Sequence, residues 1–214
     1  MRTDQGRNPS SGKPEPLAPL PRGRHLLPPE EVERHQRERI LHAVATGMAE
    51  RGYATLTVAS IIAEARVSRT TFYAQFANKK EAVVGTYEET FRRFLALVEA
   101  ACATEEEWPM KLRRGLEVTV GFAAAEPSMA LLLAAQAEVA DRVVAEKMLA
   151  ARRRLVELLL HGRSYPGADL LPEITEEALV GAIAAVISRA VLDGSIDDAD
   201  ALRAQLVEFV LVFY

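Results

Sequence analysis

Between Thr57 and Lys79 the chain gathers side chains suited to gripping a polyanion: Thr57, Ser68, Arg69, Thr70, Thr71, Tyr73, Gln75 and Lys79. Their hydroxyls and amides reach phosphate oxygens or base edges, and an arginine can fork onto guanine O6 and N7. Lys79 opens a new helix, where an ammonium and unpaired backbone N–H groups together can hold a phosphate. The chemistry implied is non-covalent recognition of double-stranded DNA. Catalytic spacings are missing from the sequence: no G-x-S-x-G elbow, no phosphate-cradling glycine loop, no H-E-x-x-H and no paired cysteines. An enzyme is not expected, and neither is a cofactor or a metal site.

The elements that must position these groups can be read from local pattern. Thr57 and Ser68 each suit the N-cap of a short helix, accepting from an otherwise orphaned backbone N–H. Leu56 with Ile61, and Val67 with Phe72, have the spacing of hydrophobic staples around those caps. Ala59, Ile62, Ala63, Val67, Phe72 and Phe76 are expected to form the small apolar seam where the two helices cross. The result is a helix-turn-helix, one helix crossing the DNA backbone and the next entering the major groove. Upstream, a helix is predicted from about Glu31 to Arg51, with Ile40, Leu41, Val44 and Met48 on one face and Gly52 ending it. His35 and His42 share a face of that helix but lack a third ligand.

The run Phe72-Tyr73-Ala-Gln-Phe76-Ala-Asn-Lys79, with Ile61-Ile62-Ala63 and Val67-Ser68 before it, resembles the DNA-binding domain of TetR-type transcriptional regulators. The resemblance covers about Arg37 to Thr86, with a weaker likeness of architecture beyond. It implies that Tyr73 and Lys79 contact phosphate while Arg69, Thr70 and Thr71 lie at the groove. Two positions depart from the family pattern. Arg66 stands where the turn usually carries glycine, the residue that adopts left-handed backbone at least cost. Lys80 stands where an acidic residue commonly follows the lysine.

Charge follows the same division. Residues 1–81 carry a net +4 and residues 82–214 a net −8, so the acidic total hides a basic N-terminal part. Seven of the 11 prolines fall in residues 1–29, which read as a disordered tail rich in proline, glycine and serine. Its basic residues Arg2, Arg7, Lys13, Arg22 and Arg24 suit either an inert extension or an arm touching DNA. A lone cysteine, Cys102, fits a reducing cytoplasm, and no apolar run approaches the roughly 20 residues of a membrane span.

The expected fold is all-α: a three-helix DNA-binding domain over 30–80, then a larger helical ligand-binding and dimerisation domain over 81–214. A long connecting helix is predicted from about Lys79 to Ala103, others from about Trp108 to Glu126, Ser128 to Ala137 and Val139 to His161, with a loop over 162–169. The last two helices, 173–193 and 197–214, are apolar around most of their circumference and need a cover. The resemblance implies a partner subunit there, hence a homodimer; completion of an intrachain core is the other reading. Phe94, Trp108, Met110, Phe122, Met129 and Gln136 are the candidate contacts for an unknown small-molecule effector. The sequence thus points to a ligand-responsive, DNA-binding regulator, a repressor by expectation. The alternative from another class is a helical protein–protein adaptor that has lost DNA binding.

Overall fold

Nine α-helices and no strand make up the described part of the chain, which in this computed structural model comprises residues 28–134, 142–164 and 168–214. The proline-rich tail up to residue 27, the effector candidate Gln136 and the expected helix break before 142 lie outside the described residues. The helices are α1 (Pro29–Thr55), α2 (Val58–Ala65), α3 (Arg69–Gln75), α4 (Lys79–Cys102) and α5 (Trp108–Ala125). They continue with α6 (Pro127–Ala134), α7 (Arg142–Leu160), α8 (Thr175–Asp193) and α9 (Ala199–Leu211).

Proline and glycine punctuate the chain as the sequence predicts. Pro29 begins α1, where a missing N–H costs nothing, with Glu30 and Glu31 near the positive end of the helix dipole. Gly52 leaves helical geometry at φ 72 and ψ 169, and a last short turn carries the chain on to Thr55, beyond the expected end at Arg51. Pro109 and Pro127 open α5 and α6. The loop expected over 162–169 instead contains short 3-10 turns at His161–Ser164 and Ala168–Leu170. Gly162 is required there for packing: a Cβ would lie 2.6 Å from both Trp108 and Tyr214 ring atoms.

The apolar positions of α1 form the first core. Ile40, Leu41, Val44 and Met48 meet Leu56, Ile61, Phe72, Phe76 and Val83 from the next three helices and their connections. This core continues without a break into Met129 and Leu132 of α6 and Val144 and Met148 of α7. The expected division at 80/81 therefore falls just inside α4, and α1 packs against α6. A second core joins α5 to the terminal helices through Leu112, Leu116, Val120, Leu179, Ile187, Leu206 and Val210. The expected seam of the helix-turn-helix needs one correction. Ala59 and Ala63 are exposed, and Ile61 and Ala65 are buried in their place. An eight-residue helix has one inward stripe, and the staple residue Ile61 sets it.

Candidate functional site

Three polar caps set the ends of the helix-turn-helix. Thr57 Oγ1 accepts from Ser60 N at 3.1 Å, and Ser60 Oγ accepts in return from Thr57 N at 3.1 Å, a complete capping box. Ser68 Oγ accepts from Thr71 N at 2.9 Å to start α3. Asn78 Oδ1 accepts from Glu81 N at 2.9 Å, while Glu81 accepts from Ala77 N at 2.8 Å, to start α4. Each cap is worth about 1 kcal/mol, and together they fix the entry angle of both short helices.

The turn between α2 and α3 is closed without glycine. Arg66 takes the left-handed conformation at φ 51 and ψ 43, the one positive φ outside glycine among the described residues. Val67 N donates to Ile62 O at 3.3 Å and Arg66 N to Ala63 O at 3.2 Å, the paired bonds of a Schellman end. The buried Arg39 of α1 braces this end from below, donating to Ala65 O and, at 2.7 Å, to Arg66 O. Burial first, and the nearby Arg66 charge second, press the Arg39 guanidinium below its ordinary pKa. The sequence held a signal for this brace, because Arg39 sits four residues before Ala43 on the buried side of α1.

Of the residues expected at DNA, those on the outer face of α3 are free to make contacts. Arg69 and Thr70 are exposed, and Tyr73 is 48% exposed with its ring edge-on to Phe72 at 5.4 Å. Thr71 is half-buried, its hydroxyl 2.8 Å from Ser68 Oγ, so Thr57, Ser68 and Thr71 act first as caps and cap supports. Gln75 is turned from its expected role at DNA: its amide donates to Glu33 O at 3.3 Å and accepts from Arg37 at 3.4 Å. With Arg37 stacked over the Phe76 ring at 4.8 Å, Gln75 ties the end of α3 to α1. Lys79 lies over the Tyr53 ring at 4.2 Å and donates to Tyr53 O at 2.9 Å, joining the end of α1 to the start of α4. An ammonium carries three donors, so this bond leaves Lys79 capacity for a phosphate.

A cavity of about 660 Å3 lies in the helical body between α4, α5, α7 and α8. Its wall is mostly apolar, and the Phe94 and Phe122 rings meet there with centroids 5.3 Å apart. Trp108 also lines it, packed on Tyr214 at 4.3 Å. Phe94, Trp108 and Phe122 are thus brought together as the sequence suggests. Two other candidates are not: Met110 is 41% exposed on the outside of α5, and Met129 is buried in the first core. Neither lines the cavity, because helix periodicity turns Met110 away from Trp108 and Met129 toward α1. Sequence reasoning missed Tyr87, Arg152, Leu116, Ile183 and Ile187, which also form the wall. Tyr87 donates to Met148 O at 3.4 Å, and burial pushes its phenol up to about 12, against the opposing pull of Arg152. Cys102 donates to Lys111 O at 3.3 Å, and burial holds its thiol above the ordinary value.

A buried ion cluster locks the far end of this body. The Arg163 guanidinium meets both oxygens of the fully buried Glu176 at 2.8 Å, and Tyr214 donates to the same carboxylate at 3.1 Å. Burial alone would raise the Glu176 pKa, but the Arg163 and Tyr214 hydrogen bonds outweigh it and hold it below the usual value. Among the described residues no group of three metal-ligating side chains occurs, and no single helix is long and apolar enough to cross a membrane.

Comparison with known proteins agrees with this geometry. Residues 40–83 match the family of bacterial regulatory proteins of the tetR family. Comparison with curated proteins gives no match. A TetR-like transcriptional regulator from Rhodococcus sp. RHA1 superposes with a TM-score of 0.68 at 26% identity, covering 84% of this chain and 97% of that one. The fatty acid degradation regulator FadR from Bacillus halodurans gives 0.67 at 19% identity, covering 80% and 94%. FadR from Bacillus subtilis, solved in complex with stearoyl-CoA, gives 0.62 at 18%, covering 83% and 98%. The matched segment is the one whose caps, turn and exposed α3 face are described above, so residues 40–83 carry a DNA-binding domain of the tetR family, set in an all-α chain whose larger helical body shares the fold of these regulators.

Proposed function

We propose that this protein is a ligand-responsive repressor that binds operator DNA as a homodimer in the cytoplasm. Residues 30–80 serve as the reading head, with Arg69, Thr70 and Thr71 at the groove and Tyr73 and Lys79 on phosphates. Residues 81–214 hold the effector and the dimer contact. The observation that carries the reading is the exposed Arg69-Thr70-Tyr73 face of α3, held by caps on both sides of its turn. Support for effector control comes from α4, which opens beside that face and also lines the cavity through Tyr87 and Phe94. The stearoyl-CoA bound by the Bacillus subtilis neighbour favours an effector reading of the cavity.

The dimer rests on the terminal helices. Leu179, Ile187, Leu206, Val207 and Val210 are consumed by the intrachain core, which answers half of the sequence puzzle. Ala178, Ala185 and Leu192 stay exposed at seven-residue spacing along α8, and Phe209 and Val212 stay exposed at the end of the chain, on and just after α9. These small and apolar side chains suit a self-complementary two-fold contact. A symmetric dimer places its recognition helices about 34–36 Å apart, or a multiple of that, to meet successive major grooves.

Selection of duplexes from a random pool by the purified protein tests the reading. The expected product is a pseudo-palindrome with half-sites one or two helical turns apart, bound with two protomers per site or a multiple. Failure to enrich any sequence over a charge-matched competitor leaves the adaptor function in its place.

A further inference from the structure

The cavity wall holds a charge that nothing among the described residues neutralises. Arg152 of α7 lines the cavity, is half-buried, and forms no ion pair among those residues. Its one hydrogen bond there goes to Ala134 O at 3.4 Å, a long contact for a group with five donors. Its charge is felt by the Tyr87 phenol, which among the described residues is tied by one long hydrogen bond, 3.4 Å to Met148 O. By contrast, two outward arginines of the same helix are matched: Arg142 pairs with Glu146, and Arg154 with both Glu157 and Glu99.

The acidic lining residues do not cancel this charge. Glu99 is engaged by Arg154 at 3.4 Å, and Glu106 and Glu107 are exposed ahead of α5. The rest of the wall is mostly apolar, from Phe94 and Phe122 to Ile183 and Ile187, with Lys111, Thr119, His161 and Ser164 among its other polar members. A guanidinium kept half-buried beside an apolar chamber calls for an acceptor, and an ionised one such as a carboxylate gives the strong bonds in such surroundings.

We infer that the cavity takes an aliphatic molecule ending in one carboxylate-like anionic head, with Arg152 and Tyr87 holding the head and the apolar wall holding the chain. The inference rests on the reading of this cavity as the effector site and adds the chemical class of the effector and the residue that selects it. A volume of about 660 Å3 is in the range that encloses a mid-sized ligand.

The chain supplies its own reporter, because its single tryptophan, Trp108, lines the cavity. Submicellar dodecanoate, dodecanol and dodecyltrimethylammonium are titrated against the full chain by Trp108 fluorescence. Dodecanoate is expected to bind about tenfold or more tighter than dodecanol, the effect of one charged hydrogen-bonded contact, and the cation weakest of the three. Arg152→Gln should erase the preference for dodecanoate while leaving dodecanol binding unchanged, and Arg152→Lys should restore part of it. Equal affinity for acid and alcohol, a preference for the cation, or an undiminished preference in Arg152→Gln overturns the inference. So does absence of binding by all three. The regulatory reading fails separately: dodecanoate that binds with the stated preference but leaves DNA affinity unchanged sustains the ligand class and removes its role. DNA release by some other compound, with no dodecanoate binding, does the reverse.

Discussion

Removal of the Arg39 guanidinium tests how the helix-turn-helix holds its shape without a glycine in the turn. Arg39→Met keeps the aliphatic stem that packs beneath α2 and deletes the donors to Ala65 O and Arg66 O. A hydrogen bond from a charged donor contributes roughly 1.5–3 kcal/mol. Two such bonds set an upper bound of about 6 kcal/mol, and two offsets reduce it. The Arg66 carbonyl ends an exposed turn where water can replace part of the loss, and the desolvation of a buried cation beside the Arg66 charge disappears with the guanidinium. A net loss of about 2 kcal/mol follows, which for a chain of 150–250 residues lowers Tm by about 4–8 °C. Arg66→Gly should act in the opposite sense. It relieves a left-handed arginine at roughly 1–2 kcal/mol, less the extra entropy glycine gives the unfolded chain, for a net gain of up to about 1 kcal/mol. Scanning calorimetry on both variants, with DNA binding measured in parallel, reads the result. An Arg39→Met protein melting within about 1 °C of wild type would refute the bracing argument outright.

The remaining predictions concern the body. Gly162→Ala forces a Cβ to within 2.6 Å of rigid Trp108 and Tyr214 ring atoms, so it should cost about 1–3 kcal/mol and shift the Trp108 emission; unchanged emission and Tm would show that the rings yield freely. The depressed Glu176 carboxyl contributes stability that is complete above its unfolded pKa of about 4.3 and is lost as pH falls through the lower folded value. Glu176→Gln should therefore cost roughly 3 kcal/mol at neutral pH and flatten the melting temperature across that acid window, and an equally steep acid limb in the variant would point to other carboxylates. On the exposed terminal faces, Phe209→Glu with Ala185→Glu should sediment as a folded monomer, whereas Leu206→Glu, aimed at a residue 3% exposed in the intrachain core, should unfold the chain. Dimers of the first variant would move the interface elsewhere.

What the sequence made legible was local. Thr57, Ser68 and Gly52 announce themselves because a cap or a stop is decided within about four residues of chain, and the structure uses each one there. The same reasoning misjudged Ala59 and Ala63, since several small residues in an eight-residue helix fit an inward stripe equally well. Contacts between distant segments were out of reach. Nothing near Gln75 reveals that Arg37 and Glu33 will claim its amide, and nothing near Arg152 reveals a chamber shared with α4 and α5. The terminal helices were ambiguous for a further reason. Their apolar circumference states that they are covered, but only the packing separates Leu206, covered by this chain, from Phe209, which is exposed.

In the proposed function the exposed face of α3 reads DNA. This is tested most directly by fluorescence anisotropy on a duplex selected by the protein, titrated across a salt series for wild type, Tyr73→Phe and Arg69→Ala. With Tyr73 on a phosphate, as proposed, Tyr73→Phe should weaken binding alike for every sequence. Where that hydroxyl also seats a neighbouring cation on its phosphate, the log–log salt slope should shrink by up to about 0.9 for each phosphate released. Arg69→Ala should instead cost about 1–3 kcal/mol on the selected site and relax preference at one base pair per half-site, while binding to unrelated duplex changes far less. Wild-type affinity, salt slope and base preference retained in both folded variants would contradict the assignment of α3 as the recognition helix.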